Sequence, residues 1–227
     1  MTTTTDRDEG LIHIDAAGVT LEGNLIIPPG ANGVVLFAHG SGSSRFSARN
    51  RHVAGVLRKQ GNLGTLLIDL LTAEEELVDT RTAHLRFDID LLADRLVGTS
   101  DWLARERAEL NIGLFGASTG GGAALVAAAR VPDRIKAVVS RGGRPDLAGG
   151  ALPKVKAPTL LIVGGDDTPV IQMNQEAYDR MTAVKKLIIV PGASHLFEEP
   201  GTLEEVARLA TDWFKKYLSR SDTSPRA

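Results

Sequence analysis

Ser118 stands at the centre of Gly116-Ala117-Ser118-Thr119-Gly120, with an apolar run before it (Ile112, Leu114, Phe115) and an alanine-rich segment after it. A serine at the apex of a strand–turn–helix element can act as a nucleophile, because the tight turn holds its hydroxyl clear of the sheet and over a helix N-terminus. Free backbone N–H groups and the helix dipole favour negative charge there. Glycines two places either side of Ser118 remove side chains that would collide where strand and helix nearly touch. The plainer reading of the same residues is a helix N-cap serine in a glycine-rich turn. A serine hydroxyl is a weak nucleophile at its own pKa and needs a base to take its proton. His195, in Pro191-Gly-Ala-Ser-His195, can serve as that base and return the proton to a leaving group. A carboxylate should orient the imidazole, and Asp166 and Asp167 lie side by side in Gly164-Gly165-Asp166-Asp167-Thr168-Pro169-Val170.

These groups come together only if the elements between them form a parallel sheet. Leu11–Ile14 and Val19–Ile27 read as a hairpin around Ala16-Ala17-Gly18, stopped by Pro28-Pro29-Gly30. Continuous apolar runs at Gly33–Ala38, Gly64–Leu70 and Ile135–Ser140 carry the mark of strands buried on both faces, and Pro158–Val163 and Lys186–Val190 also read as strands. Helices are expected over Ala48–Gln60, His84–Glu106, the segment after Ser118, Ile171–Ala183 and Thr202–Tyr217. The acidic stretch Thr72–Asp79 reads as a short excursion, and residues 145–156 as a short connection with little room for structure. Strands alternating with helices imply a mostly parallel, eight-stranded α/β sheet covered on both faces, with functional groups at the strands' carboxyl ends. A single domain over 10–218 is expected, with flexible ends at 1–9 and 219–227.

Composition excludes several alternatives. A chain of 227 residues with 43% hydrophobic and 24% charged residues is that of an ordinary globular protein. A net charge of −2 gives no electrostatic reason to expect nucleic acid or a membrane surface as partner. With no cysteine there is neither a disulfide nor a thiolate site. No His/Asp/Glu spacing suggests a metal, and Gly120-Gly121-Gly122 lacks the following G-K-[ST] of a phosphate loop, so no cofactor is expected. The opening MTTTTDRDEG has neither the basic start nor the apolar core of a secretory signal, and a cytoplasmic location is the expectation. The composition is compatible with a homodimer.

His39-Gly40-Ser41-Gly42, Ser118, Asp166-Asp167 and His195 each follow a separate strand, in the chain order Ser…Asp…His expected for this architecture. The stretches FAHGSGSS (37–44), GLFGASTGG (113–121), LLIVGGDDTPV (160–170) and VPGASHLFEEPG (190–201) resemble those of the α/β-hydrolase superfamily. Within it the chain is similar to the small dienelactone-hydrolase-like branch, from about Leu11 to Leu218. Dienelactone hydrolases use a cysteine nucleophile, whereas Ser118 stands here, the esterase-like variant. The resemblance implies an α/β-hydrolase fold without a substantial cap domain. It also implies a catalytic triad of Ser118, Asp167 and His195, with the acid three residues before Val170. Asp166 and, in the loop after the sixth strand, Asp146 remain alternatives for the acid.

An oxyanion needs two preorganised N–H donors. The backbone N–H of Thr119 supplies one, and that of Ser41 is expected to supply the other. His39 reads as a structural ring that fixes the oxyanion loop. Arg45, Arg49 and Arg51 follow that loop, and Arg141 and Arg144 follow the sixth strand. Some of these, Arg45 and Arg141 first, could bind an anionic group on the substrate; the alternative is solvated arginines paired with carboxylates such as Asp88 and Asp146. With no room for a lid between the sixth strand and the next helix, the site suits small or exposed esters. The expected activity is cleavage of small carboxylic esters or lactones. Thioester hydrolysis, acyl transfer and cofactor-free perhydrolysis are related chemistries; a non-catalytic ligand receptor is the alternative of another class.

Overall fold

The computed structural model describes residues 10–219, so the flexible ends expected at 1–9 and 219–227 lie, Ser219 apart, outside the described residues. Eight strands form one sheet in the order β1-β2-β4-β3-β5-β6-β7-β8. β1 (Leu11–Ala16) and β2 (Val19–Ile26) make the antiparallel hairpin, and β2 joins β4 (Gly64–Ile68) antiparallel. From β4 onward the pairing is parallel through β3 (Gly33–Ala38), β5 (Asn111–Ala117), β6 (Ile135–Arg141), β7 (Thr159–Gly164) and β8 (Lys185–Val190).

The apolar runs of β3, β4 and β7 are buried on both faces, because successive side chains point to opposite sides of a strand, whereas β8, at the sheet edge, leaves Ile189 exposed. On β3, Val34, Leu36 and Ala38 enter one core, and Val35 and Phe37 enter the other. α3 (Ile89–Glu106) and α4 (Thr119–Arg130) cover the first core, and α1 (Ala48–Gly61) and α6 (Thr202–Leu218) cover the second. α5 (Thr168–Arg180) adds Ala177 to the first face.

Three expectations are corrected. The stretch read as a short excursion is a helix, α2 (Ala73–Thr82), started by a capping box in which the Thr72 hydroxyl accepts from Glu75 N–H and the Glu75 carboxylate accepts from Thr72 N–H. The long helix expected from His84 begins at Ile89, where the Asp88 carboxylate accepts from Leu91 N–H, and Leu85–Phe87 is a separate 3-10 turn. The connection after β6 is also structured. Pro145–Lys154 forms 3-10 turns kinked at Gly149 (φ 47°), and Ala148 and Leu152 are buried in the first core. It is a packed plug, and among the described residues no cap stands over the sheet edge.

Candidate active site

The chain reverses direction at Ser118 in one residue. Ser118 has φ 51° and ψ −122°, a left-handed conformation that costs a non-glycine residue about 1–3 kcal/mol. Its backbone is held on both sides: its N–H donates to Arg141 O (3.3 Å), and its carbonyl accepts from Gly121 N–H (2.9 Å) and Arg144 N–H (3.0 Å). The hydroxyl does not cap the helix that follows. The flanking glycines are required by contact. A Cβ on Gly116 would lie 2.4 Å from Gly120 O, and one on Gly120 would lie 2.4 Å from Ala38 O.

The loop after β3 lies directly over this turn. A Cβ on Gly40 would come within 3.1 Å of Ser118 Cβ. His39 anchors the loop from beneath: Nδ1 donates to Gly40 O (3.0 Å) and Nε2 accepts from Leu70 N–H (3.1 Å). Only a neutral ring can do both, and burial lowers the His39 pKa from its ordinary value. The Ser41 N–H, the expected second oxyanion donor, is already engaged: it donates to Thr119 Oγ1 at 2.9 Å. Thr119 opens α4 and its hydroxyl reaches the loop above, so an oxyanion would have to draw the Ser41 N–H from that partner.

Asp167 and His195 meet across β7 and β8. His195 Nδ1 lies 2.6 Å from Asp167 Oδ2, which fixes the ring and leaves Nε2 for other partners. The Asp167 side chain is 12% exposed and that of His195 39%. Gly164 lets the two loops close on each other, since a Cβ there would lie 2.3 Å from Ala193 O, and Asp166 N–H donates to that same carbonyl (3.0 Å). The Asp166 side chain is exposed. The Glu199 carboxylate accepts from Ser194 N–H (3.0 Å) and steadies the turn before His195; hydrogen bonding from the Ser194 side chain first, and from its N–H second, holds the Glu199 pKa below its usual value. Asp146 is paired twice with Arg144 (2.9 and 2.8 Å), so of the three candidate acids it is Asp167 that faces His195.

Ser118 and His195 open onto one cavity of about 260 Å³, shared with Gly40, Ser41, Arg49 and Arg141. Arg141, expected near the site, is there. Arg45 is not: its guanidinium is held by Asp69 and Glu22, and it lines another hollow. Asp88 serves as the cap of α3. Ser47 and Asn50, which also line the cavity, were not anticipated. The available signal was the N-cap pattern Ser47-Ala-Arg-Asn50, where the Ser47 hydroxyl accepts from Asn50 N–H and sets the first turn of α1 beside the serine. A strained serine, an imidazole fixed by a carboxylate and a loop of backbone donors over a helix N-terminus are together suited to attack on an acyl carbon. Among the described residues no cluster of His, Asp and Glu could hold a metal ion, and no helix is long and apolar enough to cross a membrane.

A family model described as PET hydrolase-like matches residues 65–224. The chain is similar to the crystal structure of a dienelactone hydrolase from Anabaena variabilis, at 64% identity and a TM-score of 0.90, covering 92% of this chain and 97% of that one. Est1E from Butyrivibrio proteoclasticus shares the fold at 17% identity, with a TM-score of 0.75 and coverage of 92% and 98%. Two Mycobacterium tuberculosis proteins, provisionally named phosphoribosyl transferases, are 56% identical over 214 residues. That match takes in 93% of this chain, which spans about half (47%) of their length.

Proposed function

Because this chain belongs to the PET hydrolase-like family of α/β-hydrolases, we propose that it cleaves small carboxylic esters or lactones through an acyl-enzyme on Ser118. The observation that carries the reading is the His195–Asp167 contact at 2.6 Å on the cavity that Ser118 also lines. Ser118 Oγ attacks the carbonyl carbon and His195 takes its proton, with Asp167 holding the imidazole and stabilising its cation. The oxyanion takes hydrogen bonds from Thr119 N–H and from Ser41 N–H once the latter leaves the Thr119 hydroxyl. Collapse expels the alcohol, protonated by His195, and leaves the acyl ester on Ser118. Water, deprotonated by His195, then attacks that ester and releases the acid. No cofactor takes part, the substrate is a small molecule, and the reaction runs in the cytoplasm.

The transferase names belong to proteins about twice this length. The test is hydrolysis of p-nitrophenyl acetate, butyrate and octanoate by the wild type and by Ser118→Ala. Saturable activity that falls by several powers of ten in the variant, with folding unchanged, is expected. A wild-type protein that is inert to these esters and to a fluorophosphonate probe would sink the proposal.

A further inference from the structure

The cavity beside Ser118 holds more positive charge than ester cleavage requires. Arg141, at the end of β6, is 6% exposed and lines it. No carboxylate lies within ion-pair distance of its guanidinium among the described residues. Its contacts are Asn50 Oδ1 at 3.4 Å and the Phe197 ring, 5.8 Å to the centroid, and its buried Nε has no partner. Burial, with the nearby charge of Arg49, lowers the Arg141 pKa to about 10, so the group is still a cation at neutral pH. A buried cation without a counter-ion is costly to keep, and an incoming anion relieves that cost.

Arg49 brings a second guanidinium to the same cavity. Its Nη1 reaches Glu198 Oε1 at 3.1 Å, but that carboxylate is 63% exposed, and such a pair is weak enough to exchange for a better partner. The Arg49 Nε is buried and without a partner. Arg49 also lies in the first turn of α1, behind the N-cap Ser47, where amide groups have no acceptor within the helix. A helix N-terminus, two guanidiniums and the hydroxyls of Ser41, Ser43 and Ser47 thus border one small space. A carboxylate, with one charge and two oxygens, answers one guanidinium. A phosphate monoester, with close to two charges and three free oxygens, answers both.

We propose that this cavity is a phosphate-binding subsite, and that the ester cleaved at Ser118 carries a phosphate group held by Arg141 and Arg49. The substrate class rests on the ester-hydrolase reading above; the subsite itself does not.

The experiment has two arms. Binding of inorganic phosphate to Ser118→Ala is measured by calorimetry, with succinate as the carboxylate comparison. Hydrolysis of the p-nitrophenyl ester of phosphoglycolic acid is then compared with that of mono-p-nitrophenyl succinate and p-nitrophenyl butyrate. Phosphate is expected to bind saturably and more tightly than succinate, and to compete with butyrate hydrolysis. The phosphorylated ester should show the highest kcat/KM. Arg141→Gln should lower that preference by about tenfold or more, through KM, the worth of a lost charge-assisted hydrogen bond. Arg49→Gln, at a half-exposed position, should do the same should Arg141→Gln fail to fold. Arg208→Gln, on the exposed face of α6, is the control and should leave the preference unchanged. Phosphate that does not bind, or, in a protein that hydrolyses the esters, a preference for the phosphorylated one that is absent or survives both substitutions, would overturn the proposal. Succinate bound as tightly as phosphate would overturn the phosphate assignment. Arg141-dependent phosphate binding in a protein inert to every ester would uphold the subsite and remove the ester-hydrolase reading instead.

Discussion

At Asp167 the choice among three carboxylates becomes a matter of surroundings. Asp146 is engaged by Arg144, the Asp166 side chain faces solvent, and Asp167 touches His195. Asp167→Asn should therefore lower kcat on p-nitrophenyl acetate on the order of 10⁴-fold, as expected when an imidazole loses its orienting carboxylate. Asp166→Asn should stay near the wild-type rate, and steady-state kinetics on the pair separate the two. His39 gives a second expectation, in stability. Burial lowers its pKa, so as pH falls below about 6.5 the unfolded chain binds a proton that the folded chain refuses, and stability drops. Melting temperatures between about pH 7 and 5 should show that slope, and it should flatten in His39→Gln, whose amide does not titrate. Ser118 and His195 were legible from residue type and strand context, and Asp167 from the motif it shares with a known family. The bond between Ser41 N–H and Thr119 Oγ1 was not, since nothing local ties a loop amide to a hydroxyl 78 positions away. The arginines were equally opaque. Arg45 comes after β3 and Arg141 ends β6, and only the fold gives one two carboxylates and the other, among the described residues, none.

At the scale of elements, the glycines around Ser118 act as spacers between backbones. Gly120→Ala would press a methyl group against Ala38 O, and overpacking of that kind costs about 1–3 kcal/mol or more. A lower denaturation midpoint together with loss of esterase activity is the expected result. Gly55→Ala, in α1 with nothing within 4 Å of the new Cβ, should instead raise the midpoint by about 0.5–1 kcal/mol of stability. The buried strands announced themselves as apolar runs because both of their faces are covered. α2 did not, because Leu77 and Val78 are exposed and its only buried residue is the polar Asp79. Its capping box, Thr72 with Glu75, was the readable sign. Gly149, Gly150 and Pro153 disguised the segment after β6 as a loop, whereas Ala148 and Leu152 anchor it as 3-10 turns.

Across the whole molecule, α6 closes the second core against the sheet. Gly113 on β5 leaves room for Phe214, whose ring would lie 2.7 Å from a Cβ at that position, and Phe214 is fully buried. Phe214→Ala should cost about 3–5 kcal/mol, read as a shifted denaturation midpoint. If α6 also braces the loops at the sheet edge, esterase activity should be lost at the same denaturant concentration as the fold; earlier loss would mean that the loops open separately. The packed 3-10 turns after β6 have a kinetic consequence for the proposed acyl-enzyme. With no cap over the sheet edge among the described residues and the His195 side chain 39% exposed, bulk water would have standing access to the acylated serine. Any alcohol or thiol acceptor would compete with solvent at its full concentration, without a closed chamber to exclude it. Partitioning should therefore run toward the free acid: added methanol should divert only a minor share of product into methyl ester.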